Sequence, residues 1–74
     1  MATSVTDPRK ILGNAIRERR RALGLTQEEL AEKADLHWTY ISGIERGVRN
    51  VSIVNLFHIA LALKIHVRDL VKRL

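Results

Sequence analysis

The sequence predicts an all-α fold, a compact five-helix bundle, and three observations support this. Apolar residues recur at the three-to-four residue spacing of helices and do not alternate as they would in strands. Residues that cap or stop helices bound most of these periodic segments. The connections between the segments are only a few residues long, as they are in helix bundles.

Length and composition narrow the choice further. The chain has 74 residues and no cysteine, which allows one small domain and excludes disulfides and thiolate metal sites. Residues 1–6 are expected to form a flexible N-terminal arm, and residues 7–74 a single domain. The three histidines have no paired ligand spacing, so neither a metal nor another cofactor is expected.

Helix 1 is predicted at about residues 8–23. Asp7 suits the N-cap, and Pro8 suits the first helical position, where a backbone N–H has no partner within the helix. Gly24 then ends the helix. Within it, the run RERRR at residues 17–21 is distributed around the helix, so its arginines do not share one face.

Helices 2 and 3 are predicted to follow with only a tight turn between them. Thr26 and Glu29 form a capping box that starts helix 2, which ends near Ala34. Asp35 is one of the few residues other than Gly that tolerate a left-handed conformation in such a turn. Helix 3 is expected from about Trp38 to Arg46.

Helices 4 and 5 complete the predicted bundle. Ser52 can cap helix 4, which reaches about Leu63. Helix 5 is then expected to run to the end of the chain as a clean amphipathic helix. Its apolar face consists of Val67, Leu70, Val71 and Leu74.

Helix 3 has an inward face and an outward face of small polar groups. At about 100° per residue, Ile41 and Ile44 define the inward direction, Thr39 lies almost opposite, and Ser42 and Gly43 flank Thr39. A Gly inside a helix costs about 1 kcal/mol relative to Ala. Since nothing inside the protein should require a small residue on an outward face, Gly43 predicts close approach of a partner.

The only Trp and the only Tyr of the chain border this outward face. Trp38 lies about 90° from the inward direction on one side, and Tyr40 about 70° on the other. Each could shelter an edge of the core or contact a partner. The two interpretations are compatible, because an aromatic ring can pack through one face and bind through its polar tip.

These features together describe a helix-turn-helix DNA-binding motif. The chain carries a net charge of +5, which favours an anionic partner. In this motif the second helix enters the major groove, where Thr39 and Ser42 can donate to or accept from base edges. A basic membrane-surface protein is the rival interpretation of the charge, but the charges are spread over several helices and not on one face.

The residues also carry a family likeness. The segment LTQEELAEKADLHWTYISGIERG, residues 25–47, resembles the helix-turn-helix of lambda-repressor-like (Xre-type) bacterial regulators, and TYISGIERGVRNVS, residues 39–52, resembles restriction–modification controller proteins. The likeness covers about residues 9–74. It implies a homodimer that binds a two-fold symmetric, palindromic operator in double-stranded DNA. Another small Xre-type repressor, or the antitoxin-type DNA-binding partner of a toxin, is the alternative.

The resemblance also implies roles for individual positions. Base-facing positions are occupied by Trp38, Thr39, Ser42 and Gly43. Positions that contact the DNA backbone are occupied by Gln27, Tyr40, Arg49 and Asn50. Trp38 departs from the family pattern, in which Arg or another polar residue is usual. An Arg could bind guanine with two hydrogen bonds, whereas an indole donates only one or packs on a sugar or a thymine methyl.

The arginines divide by their position on the helices. Arg20 lies on the inward stripe of helix 1 and needs a partner, which we expect to be Glu45 on the inward half of helix 3. The family likeness implies the same ion pair. The better phosphate candidates are Arg17, Arg21, Arg46 and Arg49, whereas solubility is the expected role of Arg9, Lys10, Lys72 and Arg73.

Helix 4 is apolar almost all round, although a helix that faces one core needs only an apolar stripe. The surplus predicts a dimer interface, with ordinary exposed apolar surface as the alternative. Its expected members are Ile53, Phe57, Leu61, Val67, Val71 and Leu74. A two-fold dimer would place its two recognition helices about 34 Å apart, one turn of DNA.

Several other functions are not expected. The chain has no nucleophile–base pair or phosphate-binding Gly loop, so it is not predicted to be an enzyme or to bind a small molecule. It has no apolar run near the roughly 20 residues of a membrane span and no signal peptide, so we expect a cytoplasmic bacterial protein, associated with the nucleoid when bound, with no membrane partner. RNA polymerase is a further candidate partner.

Overall fold

The computed structural model describes residues 7–74, and the predicted N-terminal arm at residues 1–6 lies outside them. Within this range the chain is all-α, without strands, so the predicted fold class is confirmed. The helices are α1 (Pro8–Ala22), α2 (Gln27–Ala34), α3 (Trp38–Glu45), α4 (Ile53–Ala62) and α5 (Val67–Val71).

Local capping explains where most of the helices begin. The Asp7 carboxylate accepts a hydrogen bond from the Arg9 backbone N–H at 2.9 Å. Thr26 Oγ1 accepts from the Glu29 backbone N–H at 3.0 Å, and Glu29 Oε1 accepts from the Thr26 backbone N–H at 2.8 Å, which completes the predicted capping box. The Ser52 hydroxyl caps α4 by accepting from the Asn55 backbone N–H at 3.1 Å. These contacts satisfy N–H groups that the first helical turn leaves without a partner.

The expectation that helix 5 runs to the end of the chain is wrong. It ends at Val71, after five residues. The Leu74 N–H donates to the Val71 carbonyl three residues back, a tighter turn than that of an α-helix. Because the Leu74 side chain is largely exposed, little apolar burial holds this last turn in helical form.

The core lies at the centre of the five helices. Helix α1 packs on α3 and α5, and α2 packs on α3 and α4. The side chains at its centre have almost no exposed surface, and they are Ile16, Leu30, Ile41, Ile44, Ile59, Leu63 and Leu70. Gly13 lets α1 approach the end of α3, since a Cβ there would collide with the carbonyl oxygens of Ile44 and Glu45. Helix α3 is therefore held by packing against α1 on one side and against α2 on the other.

Candidate nucleic-acid interface

The turn between α2 and α3 has the tight geometry that the sequence predicted. Asp35 adopts a left-handed conformation, with φ 57° and ψ 45°. The Leu36 N–H donates back to the Ala31 carbonyl at 2.9 Å, which satisfies one of the last carbonyls of α2. Helix α3 therefore starts only four residues after α2 ends, and the two helices form a helix-turn-helix unit.

The N-terminal part of α3 presents aromatic and polar side chains at the surface. Trp38 is 47% exposed, Thr39 is exposed, and Ser42 is partly exposed one turn later. The opposite face is completely buried through Ile41 and Ile44. The predicted inward direction of α3 is thus the observed one, and the first two turns of the helix carry the surface groups.

Gly43 does not lie on this open surface, so one premise of its assignment is wrong. The residue is buried, and the side chain of Arg49 covers it. A Cβ at this position would lie 2.5 Å from Arg49 Cγ, far inside van der Waals contact. The small residue therefore gives room to a side chain from the loop that follows α3, and a direct contact between Gly43 and a partner is not needed to explain it.

Tyr40 connects this loop to α3. Its hydroxyl donates to the Asn50 carbonyl at 3.4 Å and accepts from Asn55 Nδ2 at 3.3 Å. The guanidinium carbon of Arg49 lies 5.9 Å from the centre of the Tyr40 ring, within the range of a cation–π interaction. The ring also packs against the core. Tyr40 is therefore a boundary residue that holds Arg49 and Asn50 beside the helix.

Beneath the surface, Glu45 and Arg20 form a bidentate ion pair. Arg20 Nε donates to Glu45 Oε2 at 2.7 Å, and Arg20 Nη2 donates to Oε1 at 3.0 Å. Arg20 Nη1 also donates to the Leu25 carbonyl at 2.8 Å. Burial acts to raise the pKa of Glu45, but the hydrogen bonds from Arg20 and Gln27 outweigh it and hold that pKa below its ordinary value. The pair ties α1 and the start of α2 to the end of α3.

Two of the residues assigned to phosphate by resemblance or charge also contact Glu45. Gln27 Nε2 donates to Glu45 Oε1 at 3.1 Å. Arg17 Nη2 donates to the Glu45 carbonyl at 3.3 Å, and Arg17 Nε lies 3.5 Å from Oε1. No local pattern indicates these contacts, because neither residue is near Glu45 along the chain. Both side chains are consequently positioned by the same carboxylate that holds Arg20.

Three cations near α3 form a cluster, although the sequence predicts different roles for its members. Lys10, Arg17 and Arg46 line one surface hollow between α1 and the end of α3. Lys10 had been assigned to solubility, although Lys10 and Arg17 are seven residues apart on one face of α1, a signal that could have grouped them. Elsewhere, Arg9 pairs with Asp7 and Arg73 pairs with Glu18.

The apolar side chains predicted for the dimer surface differ in exposure. Val67 and Val71 are partly buried and pack against the core, so only part of each side chain is open to an interface. The exposed apolar side chains of α4 are Ile53, Val54, Phe57 and Leu61, and this set is called the α4 patch below. Leu74 is also exposed, at the end of the chain. Val54 was missed, because α4 is apolar on every side and its periodicity does not identify the exposed face.

Two kinds of site are absent from the described part of the chain. Across residues 7–74, no group of three or more His, Asp or Glu side chains could hold a metal ion. In the same range, no helix combines the length and the apolar character required to cross a membrane.

Comparisons with known proteins agree with this architecture. The model of the helix-turn-helix family matches residues 16–70. Control protein C.BamHI of Bacillus amyloliquefaciens is 46% identical over 63 residues, which are 84% of this chain and 78% of that protein. The crystal structure of the restriction–modification controller protein C.AhdI from Aeromonas hydrophila is 47% identical, with a TM-score of 0.83 over 84% of this chain and 94% of that one.

A second similar structure contains DNA. The restriction–modification controller protein C.Esp1396I, solved as a tetramer in complex with its natural 35 base-pair operator, is 39% identical, with a TM-score of 0.77 over 82% of this chain and 80% of that one. The present chain belongs to the helix-turn-helix family, a family of DNA-binding regulators and not of enzymes. Its predicted likeness to restriction–modification controllers is confirmed.

Proposed function

We propose that this protein acts as a restriction–modification controller, a transcriptional regulator that binds a two-fold symmetric operator as a homodimer, with α3 in the major groove. The observation that carries the proposal is the exposed polar start of α3, a helix whose other end is tied to α1 by the ion pair between Arg20 and Glu45. The similar protein C.Esp1396I was solved as a tetramer in complex with its operator, which supports operator binding and self-association by this chain.

The proposed contacts fall into two classes. Base edges are met by the exposed side chains at the start of α3 and one turn later, Trp38, Thr39 and Ser42. The DNA backbone is met by residues on α1, α2, α3 and the loop after α3, which are Arg17, Gln27, Tyr40, Arg46, Arg49 and Asn50. Lys10 joins them because it lines the same hollow as Arg17 and Arg46. Gly43 contributes by giving room to Arg49.

The α4 patch is the proposed dimer interface, with residues 7–74 acting as one domain. Its four large apolar side chains are more than half exposed, and side chains of this kind are enriched at homodimer interfaces. Phe57→Asp should therefore reduce the mass in sedimentation equilibrium from that of a dimer to that of a monomer. Val48→Asp is the control, since Val48 is equally exposed but lies outside α4. An unchanged mass for Phe57→Asp would contradict this assignment.

The DNA proposal is tested with the DNA upstream of the gene. Fluorescence anisotropy should show that an inverted repeat from this region binds at least tenfold more tightly than a scrambled duplex of equal length and composition. Equal affinity for the two duplexes would remove the proposed function. RNA polymerase is a candidate partner, since a regulator bound upstream of a gene acts on transcription by recruiting or blocking the polymerase.

A further inference from the structure

The residue before α3 makes an unusual contact with the proposed base-reading surface. His37 is the N-cap residue of α3. Its Nδ1 accepts a hydrogen bond from the Thr39 backbone N–H at 3.2 Å, and the same nitrogen lies 2.8 Å from Thr39 Oγ1. One ring nitrogen of His37 thus contacts both the backbone and the side chain of Thr39.

This arrangement fixes the direction of the second hydrogen bond. A backbone N–H can only donate, so His37 Nδ1 must be an acceptor that carries no proton. The 2.8 Å contact is then a hydrogen bond that the Thr39 hydroxyl donates with its only hydrogen, and it shares the single lone pair of Nδ1 with the backbone N–H. The proton of the neutral imidazole lies on Nε2, and the oxygen of Thr39 has only lone pairs left for another partner.

We propose that His37 is a specificity-determining residue that makes the Thr39 hydroxyl a hydrogen-bond acceptor toward DNA. This inference rests on the proposed function, in which Thr39 meets a base edge. The major-groove donors are the exocyclic amino groups, N6 of adenine and N4 of cytosine. The protein therefore selects a base that offers an amino group at the position that Thr39 meets.

A free hydroxyl would not make this selection. Serine and threonine hydroxyls both donate and accept, and they serve donor and acceptor base edges equally. With its hydrogen bonded to His37, the Thr39 oxygen would meet thymine O4 or guanine O6 lone pair to lone pair. To donate to such a base, the hydroxyl would have to break a short bond to His37. Leaving a polar group unpaired in this way is unfavourable.

The test is a double-mutant cycle, which combines removal of the Thr39 hydroxyl with removal of a base amino group. Adenines of the operator are replaced one at a time, symmetrically in both half-sites, by purine, which lacks the 6-amino group. Cytosines are replaced likewise by pyrimidin-2-one, which lacks the 4-amino group. For the wild-type protein, one such deletion should weaken binding by about three- to tenfold per half-site, the range of one hydrogen bond. For Thr39→Val, the same deletion should have no effect.

Two further variants separate the role of His37 from simple loss of structure. Thr39→Ser keeps the hydroxyl and should keep the full dependence on the amino group. His37→Gly removes the acceptor while leaving a residue that N-caps tolerate, and the freed hydroxyl can then rotate to donate. The base pair identified in this way is then reversed, so that an acceptor replaces the amino group. The reversal should weaken wild-type binding by about tenfold, and the loss of affinity for His37→Gly should be smaller by a factor of at least about three.

The outcomes are distinct from those that test the proposed function. If the wild type prefers its operator but Thr39→Val retains the penalty of every amino deletion, the inference is overturned and the function stands. The same holds if His37→Gly and wild type suffer equally from the reversed base pair. If the wild type binds operator and scrambled DNA alike, the proposed function itself fails.

Discussion

Arg49 lies across Gly43, with its Cγ 2.5 Å from the place that a Cβ at position 43 would occupy. The guanidinium of Arg49 continues over the ring of Tyr40. A side chain from the loop after α3 is thus seated on α3 itself, at the one position of that helix where the side chain is missing. A Gly inside a helix costs about 1 kcal/mol relative to Ala. Its presence at position 43 is consistent with a need for room beneath the Arg49 side chain.

Gly43→Ala should separate stability from DNA binding. The variant gains helix propensity of up to about 1 kcal/mol, and the exposed Arg49 can swing away from the new methyl group, so the free energy of unfolding should not decrease. Operator affinity should fall by about as much as in Arg49→Ala, because Arg49 loses its position over Tyr40. Urea unfolding and fluorescence anisotropy measure the two effects.

The double variant makes this prediction stricter. Since Gly43 is proposed to act through Arg49, adding Gly43→Ala to Arg49→Ala should weaken operator binding no further. Fully additive losses would mean that residue 43 acts independently of Arg49, for example through a contact of its own with DNA.

Glu45→Gln should destabilise the protein strongly. Arg20 would keep its buried position without a counter-charge, and breaking a buried ion pair by removing one partner costs about 3–5 kcal/mol. Gln27 and Arg17 would lose a charged acceptor at the same time, so operator affinity should also fall. Chemical unfolding and anisotropy measure the two losses.

The control is the exposed pair between Glu18 and Arg73, which has the same bidentate form. Glu18→Gln should leave stability and operator affinity nearly unchanged, because solvent screens an exposed pair. If Glu45→Gln behaves like Glu18→Gln in both measurements, the ion pair to Arg20 does not hold α3 in place.

Stability should also fall in acid, in part through Glu45. Its pKa in the folded protein lies below the ordinary value of 4.5, so below pH 4.5 the unfolded chain binds more protons than the folded one. The stabilisation from this group is therefore complete above pH 4.5 and is lost as the pH falls through the lowered pKa. Urea midpoints measured from pH 7 to pH 3 should show this decrease.

Glu45→Gln should show a shallower decrease over the same range, since residue 45 no longer titrates. The slope that remains belongs to groups such as Asp7, whose hydrogen bonds from Arg9 lower its pKa to about 2, and Glu18, whose pKa Arg73 also lowers. Parallel pH profiles for the wild type and Glu45→Gln would exclude Glu45 as an acid-sensitive group.

Most of the helix boundaries were predictable because they depend on neighbours in sequence. The capping box of Thr26 and Glu29 and the left-handed Asp35 need no information beyond a few residues. The early end of α5 and the cover of Arg49 over Gly43 depend instead on burial and on contacts between separate elements. Contacts of this kind cannot be inferred from the residues that are neighbours in the sequence.

The same distinction between local and long-range contacts applies to the residues of the candidate site. The inward direction of α3 follows from the spacing of Ile41 and Ile44, so the exposed positions of Trp38 and Thr39 could be inferred. The approach of Gln27 and Arg17 to Glu45 could not, because it joins three helices at one carboxylate.

Arg49→Ala should change the salt dependence of operator binding. Each phosphate contact that a protein makes adds about one to the slope of log affinity against log salt concentration, so losing Arg49 should lower that slope by about one. Arg73→Ala is the control, because Arg73 is already paired with Glu18 and should leave the slope unchanged. Affinities measured by anisotropy between about 50 and 200 mM salt give both slopes, and an equal decrease for the two variants would mean that the slope reports net charge and not a phosphate contact of Arg49.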